Sequence, residues 1–268
     1  MVKISIKIKQ VIKVKKTMIN IKTAVEIEKM KKAGNLACRV LDHAEPFVKA
    51  GVSTQELNDV CAKFTSENGA ISAPLNYHGF PKSICTSINS VVCHGIPSEK
   101  DILKEGDIVN IDVTVIVDGY HGDTSRTYMV GKVNKEIELL VSRTKVALEK
   151  GIAAVRPDDL LSNVGKAIEK YIEKFGYSIV YQYGGHGIGK KFHEDPYVYH
   201  FFTKQNNIRL KPGMCFTIEP MINMGSPDVL TSTKDDWTVT TKDNKLSAQF
   251  EHTVLVTESG CEVLTMIV

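Results

Sequence analysis

The chain has 268 residues, 43% apolar and 24% charged, enough to bury one large core or two small ones. No stretch approaches the length of a transmembrane helix, and the start has neither a continuous apolar run nor a small-residue cleavage site, so the sequence reads as lacking both a membrane span and a signal peptide. The net charge of +3 comes from Lys3, Lys7, Lys9, Lys13, Lys15 and Lys16 in residues 1–17, which hold no acid; subtracting those six leaves the rest at −3, with no electrostatic case for specific nucleic-acid binding.

Within residues 1–17, Ile4, Ile6 and Ile8 alternate with Lys3, Lys7 and Lys9. The segment fits an added edge strand, a contact for an acidic surface such as RNA, or the product of an upstream start codon. The last reading is preferred, with Met18 opening a single catalytic domain over 18–268. The six cysteines, at 38, 61, 85, 93, 215 and 261, form no CxxC and read as free thiols of a reducing cytoplasm.

Thr23 and Glu26 form a capping box, and Ile27, Met30, Ala33, Ala37, Val40 and Leu41 follow at helical spacing. Pro46 disturbs this helix and Gly51 ends the region. Ser53 or Thr54 caps a second helix, with Leu57, Val60, Cys61 and Phe64 apolar, ending near Gly69. His43 reads as an ordinary surface residue. Over 70–98, Pro74, Gly79, Pro81, Gly95 and Pro97 break the chain into loops and short strands. Tyr77, His78 and Phe80 beside Cys85 are either core packing or the wall of an apolar pocket. His94, at the end of a short apolar strand, reads as structural more readily than catalytic.

Residues 108–117, IVNIDVTVIV, read as a buried strand. Val109, Ile111, Val113, Val115 and Val117 share one face; Ile108, Asn110, Asp112, Thr114 and Ile116 share the other. A buried carboxylate such as Asp112 must be compensated. A turn at Asp118-Gly119 would fold the chain back and bring Asp123 into the same cavity. Two carboxylates in one cavity repel unless a cation lies between them.

Residues 134–150 and 158–176 read as amphipathic helices, the second carrying Leu160, Leu161, Val164, Ile168, Tyr171, Ile172 and Phe175 inward, followed by a strand over 178–183. Together these imply helices covering one face of a curved, largely antiparallel sheet, an α+β fold. The run GGHGIGKKFHEDP at 184–196 nearly matches two motifs. A P-loop fails because Lys191 replaces the Ser or Thr that would reach magnesium; a zincin fails because Tyr197 stands where the second histidine belongs. His186 and His193 remain, one as a ligand and one as an acid or polarising group. Glu219, in PGMCFTIEPMIN, and Glu251, in SAQFEHTVLVT, are again acids inside buried-looking strands. The strand-acid pattern is weakly duplicated, which suggests two similar halves with the site between them. Four carboxylates and one imidazole suit two divalent cations, Mn, Fe, Co or Zn. Two such ions about 3.5–4 Å apart serve hydrolysis.

The runs NYHGFPKSICTSINSVVCHGIP, GDIVNIDVTVIVDGYHGDTSRTY, GGHGIGKKFHEDP, PGMCFTIEPM and WTVTTKDNKLSAQFEHTVLV, in that order, resemble the type 1, bacterial-type methionine aminopeptidases, a pita-bread metallopeptidase family. The resemblance runs from about Ile21 to the C-terminus. It implies two pseudo-symmetric halves around a dinuclear centre and removal of an N-terminal methionine when the second residue is small. Asp112 would chelate one metal, Asp123 and Glu251 would bridge both, and His186 and Glu219 would hold the other. Glu219 would also shuttle a proton, His193 would bind the scissile carbonyl, and His94 would contact the nitrogen beyond it. Tyr77, Phe80, Cys85, Phe192 and Trp237 would form the methionine pocket. Substrates would be nascent chains met by a cytoplasmic monomer with transient ribosome association. Pro74 and Phe80 depart from some bacterial members at the pocket rim. The 64 residues between His186 and Glu251 leave no room for the type 2 insertion. Proline-specific aminopeptidases, creatine hydrolase and a non-enzymatic binding module of the same fold are the rival readings.

Overall fold

A computed structural model describes residues 18–267, so the readings placed on residues 1–17 lie outside the described residues. Nine strands form one antiparallel sheet: β1 (Ile71–Ser72), β2 (Cys85–Ile88), β3 (Ile108–Val117), β4 (Tyr120–Met129), β5 (Gly185–Gly187), β6 (Glu194–Val198), β7 (Cys215–Ile218), β8 (Glu251–Val256) and β9 (Cys261–Val263). The order is β1-β3-β4-β8-β7-β5-β6, with β2 also on β3 and β9 on β8. β3 and β4 are the expected hairpin. Asp118 and Gly119 both take positive φ, 51° and 79°, the backbone of the tight turn that matches strand twist.

Each half of the sheet carries two helices. α1 (Ala24–Ala44) and α2 (Thr54–Glu67) both begin on complete capping boxes, Thr23 with Glu26 and Ser53 with Glu56. α1 stops where Pro46 enters a short 3-10 turn. Leu36, Val40 and Leu41 of α1 and Leu57 and Cys61 of α2 bury against Val109, Ile111, Val113 and Val115 of β3, the face expected from the alternation. Each such side chain contributes roughly 1.5–3 kcal/mol on burial. α3 (Lys135–Ala153) and α4 (Ser162–Ile172) cover the other half, where Leu140, Leu148, Val164 and Ile168 pack on Phe216, Ile218 and Val254. With these faces spent on the helices, the opposite face of the sheet is left to hold polar groups.

Several boundaries differ from the sequence reading: α3 runs on to Ala153 rather than 150, and α4 gives way to a 3-10 turn after Ile172. α4 begins at Ser162 rather than 158, because Asp158 N–H and Leu161 N–H donate to Leu210 and Ile208 carbonyls and hold the chain against that segment. The strand expected over 178–183 is only Ser178–Ile179. Val180 N–H still reaches Met221 O, after which the chain leaves the ladder, with Tyr181 exposed and Tyr183 lining the central cavity.

Candidate metal centre

The sheet brings all four strand acids to one place. Asp112 in β3 and Asp123 in β4 belong to one hairpin, with Asp123 opposite Thr114 and Asp112 opposite Ser125. Glu251 opens β8 and also lies opposite Ser125, while Glu219 directly follows β7. One acid pair therefore comes from each half of the fold. His186 sits in β5 between Gly185 and Gly187. A Cβ on Gly185 would fall 2.2 Å from Thr217 O, and one on Gly187 2.1 Å from Asp195 O, so only glycine lets β5 approach its neighbours this closely.

Ligand atoms of Asp123, His186 and Glu251 lie within 4.8 Å of one another. His186 Nε2 is 3.6 Å from Asp123 Oδ2 and 3.7 Å from Glu219 Oε1. His186 Nδ1 lies 3.0 Å from Gly187 O. A carbonyl only accepts, so Nδ1 carries the hydrogen and the Nε2 lone pair faces the acids, as a metal ligand requires. Thr114 Oγ1 donates to Asp123 Oδ1 at 2.7 Å, and Thr217 Oγ1 to Glu219 Oε1 at 2.7 Å. Gln249 Nε2 donates to the other Glu219 oxygen at 3.3 Å.

The electrostatics call for a cation. Among the described residues the only ion-pair partner of these acids is His186. Burial pushes Asp112 up to about 7. Burial, with Asp112 nearby, pushes Glu219 up to about 8. Burial drives Asp123 and Glu251 well above the usual carboxylate range, helped for Asp123 by the charges of Asp112 and Glu219 and for Glu251 by those of Asp123, Glu219 and Asp112. Burial lowers His186 to about 4, so its imidazole is neutral. A neutral imidazole and a cluster of uncompensated buried oxygens are the donor set of a divalent-metal site. The fit is to metal, not to an ion-paired core.

The chain matches the model of metallopeptidase family M24 over residues 28–258, a span that contains all five of these side chains. It belongs to that family.

Curated M24 relatives include the Escherichia coli K12 methionine aminopeptidase, 54% identical over 249 residues, which are 92% of this chain and 94% of the relative. The crystal structure of methionine aminopeptidase from Rickettsia prowazekii matches with a TM-score of 0.91 at 53% identity, covering 93% of this chain and 100% of that one. The Xaa-Pro dipeptidase from Bacillus anthracis matches at a TM-score of 0.75 and 26% identity, but only 61% of that chain is covered. The pita-bread architecture and the divalent-metal chemistry of M24 thus agree with the sequence reading.

The acids and His186 line a cavity of about 850 Å³ together with Tyr77, Phe80, Cys85, Phe192, Trp237, His94 and His193, whereas His78, grouped with Tyr77 and Phe80 in the sequence, is not part of its lining. Aromatic rings line it in two groups. Phe80 packs edge-on to Trp237 at 5.2 Å, Trp237 reaches His94 at 6.0 Å, and His94 reaches Tyr183 at 5.6 Å. In a second group, Tyr77 packs on Phe192 at 4.9 Å, and His193 lies 4.1 Å from His186. Tyr77 Oη is 2.8 Å from His193 Nδ1. Burial, then His186 and His94, lower His193 to about 3, and burial lowers His94 to about 4.

Several supporting residues escaped the sequence reading. His200, 1% exposed, accepts from Glu219 N–H through Nε2 at 3.0 Å and fixes the backbone of that acid. Thr217 and Gln249 hold the Glu219 carboxyl, and Tyr183, Tyr197 and Met221 add to the cavity wall. Nothing local in the run YVYHFF marks His200, whose contact with Glu219 N–H joins residues 19 positions apart. No helix among the described residues is long and apolar enough to cross a membrane.

Proposed function

We propose that this M24 chain is a two-metal methionine aminopeptidase, acting on peptides and proteins whose second residue is small. The observation that carries the reading is the convergence of the buried Asp123, Glu219 and Glu251 on the His186 lone pair, with Asp112 lining the same aromatic-walled cavity. Its relatives in Escherichia coli and Rickettsia prowazekii are methionine aminopeptidases, which supports the activity. Asp112 would hold one ion, His186 and Glu219 the other, and Asp123 and Glu251 both. Co, Mn, Fe or Zn suits this oxygen-rich set with one nitrogen. Bound ions of this kind activate a water molecule and polarise a carbonyl.

The remaining chemistry falls to the chain. Glu219, ionised once it holds a cation and oriented by Thr217 Oγ1 and Gln249 Nε2, would carry a proton from the attacking water to the departing amine. If Tyr77 O–H donates to His193 Nδ1, Nε2–H is left free to donate to the scissile carbonyl oxygen as its negative charge grows. His94, neutral, stands by the nitrogen of the next peptide bond. Tyr77, Phe80, Phe192 and Trp237, with the Cys85 thiol, suit a long, soft thioether, whose burial contributes roughly 1.5–3 kcal/mol. A charged first side chain would forfeit this and incur desolvation. Residues 18–268 would be the catalytic unit and 1–17 a dispensable extension. The substrates would be nascent chains in the cytoplasm, met by a monomer with no more than transient ribosome contact.

The test is a panel of Met-X-Ser peptides with X as Gly, Ala, Val, Leu, Lys and Phe, beside Lys-Ala-Ser. Cleavage should be confined to methionine followed by a small residue. Comparable kcat/KM for Met-Ala-Ser and Lys-Ala-Ser would defeat the pocket assignment, and efficient cleavage of Met-Phe-Ser the second-residue limit.

A further inference from the structure

The His193-Glu194 pair that opens the broken zincin motif has a separate use. Glu194 Oε2 accepts from Lys22 Nζ at 2.7 Å and from Asn20 Nδ2 at 2.9 Å, and Oε1 accepts from Lys191 N–H at 3.2 Å. The Lys22 and Glu194 side chains are 5% and 6% exposed. Gly189 makes room for them: a Cβ there would lie 2.6 Å from Lys22 Nζ and 2.9 Å from Glu194 Oε1. The segment that supplies Asn20 and Lys22 is itself anchored, since Lys22 N–H donates to Gly213 O at 2.8 Å and Ile21 bridges to Met214. From the other side His121 Nδ1 donates to Gly189 O at 2.9 Å. The loop that carries His193 is therefore gripped at both of its ends.

We infer that Lys22, Asn20 and Glu194 form a positioning device that fixes the 189–194 loop and so aims His193 at the metal centre. This rests on the His193 role proposed above. A buried ion pair gives little net stability over an apolar pair of the same volume, because both charges must be desolvated. What three donors converging on one carboxylate add is direction, at the residue adjoining His193. Misplacement of a reacting group by about 1 Å can cost on the order of 100-fold in rate. Phe192 and His193 both pack on Tyr77, but Phe192 also stacks on His121 at 5.7 Å, so the pocket should shift less than His193 does.

The experiment measures kcat, KM and bound metal on Met-Ala-Ser for the full-length, metal-loaded protein carrying Lys22→Met, Glu194→Gln or Asn20→Ala, each alone and combined with His193→Ala. Lys22→Met and Glu194→Gln should lower kcat at least tenfold, and Asn20→Ala by a smaller factor, with KM within threefold and metal content unchanged. In the His193→Ala background the same changes should cost less than twofold. Glu194→Gln keeps the side-chain shape and one acceptor, so it decides the matter even if Lys22→Met does not fold. Full kcat in Glu194→Gln, or an equal loss with and without His193, would overturn the inference. Wild-type kcat in His193→Ala alone would overturn the His193 assignment and this inference with it.

Discussion

Thr217 is not itself an assigned ligand, yet it joins the two residues assigned to one ion. Its hydroxyl donates to Glu219 Oε1 at 2.7 Å and accepts from His186 N–H at 3.0 Å. The residue is 0% exposed, so water cannot replace it. Thr217→Val keeps the volume and removes both bonds. Losing the bond to the Glu219 carboxyl and orphaning the part-buried His186 N–H cost about 1–3 kcal/mol each. The metal-free protein should therefore lose about 2–6 kcal/mol, and at about 2–4 °C per kcal/mol for a chain of this size its Tm should fall by roughly 4–24 °C. Freed of its partner, Glu219 can rotate and His186 can shift with its strand. Loss of such an outer partner typically weakens metal binding or activity about 10–100-fold. Calorimetric titration of the apo-protein with Mn or Co is the assay. One of the two binding steps should weaken by that factor while the other holds. Two unchanged affinities together with kcat within twofold of wild type would refute the idea that Thr217 orders the centre.

Three further outcomes follow from the same geometry. Asp123→Asn or Glu251→Gln should abolish turnover and change the metal stoichiometry, whereas His94→Ala should lower turnover with both ions retained; elemental analysis beside kcat checks this, and unchanged metal binding in Asp123→Asn would count against bridging. The folded, metal-free acids have raised pKa values, about 7 for Asp112 and about 8 for Glu219, so their contribution to stability is fully present below the unfolded values and is lost as pH rises through 7 and 8. Chelated protein should thus melt at a lower temperature at pH 8.5 than at pH 5, metal should restore the difference, and metal binding near pH 7 should release protons; a melting temperature of the chelated protein that does not fall from pH 5 to 8.5 would contradict the shifts. A chain starting at Met18 should keep kcat/KM on a tripeptide; a tenfold loss, about 1.4 kcal/mol, would mean that residues 1–17 shape the site.

The parts of this structure that could be read from sequence are those with a local physical signature. A carboxylate in the middle of a β-branched run is conspicuous, and Asp112, Glu219 and Glu251 were found on that basis, with Asp123 reached through the turn. The capping boxes of α1 and α2 and the glycines around His186 are equally local. What escaped detection depends on residues distant in sequence. The start of α4 is set by pairing with 208–210, which periodicity within 158–176 cannot reveal. His200 looks like one more residue of a YVYHFF run until β6 and β7 fold together and place it behind Glu219. Lys22 and Glu194 are 172 positions apart, and neither carries a pattern that announces the other. Which acid holds which ion, and the aim of His193, came from resemblance to the family; the geometry supplies support for those roles through His186 Nδ1, Thr217 and Tyr77.

The central claim is that the buried acids and His186 hold the divalent ions that make this chain a methionine aminopeptidase. Methionine release from Met-Ala-Ser tests it most directly, measured on protein chelated until metal is undetectable and then as Mn or Co is returned stepwise. The account predicts no activity in the verified apo-protein and recovery that saturates as the site fills. Full turnover in the metal-free protein, or none at any metal loading on a folded chain, would contradict it.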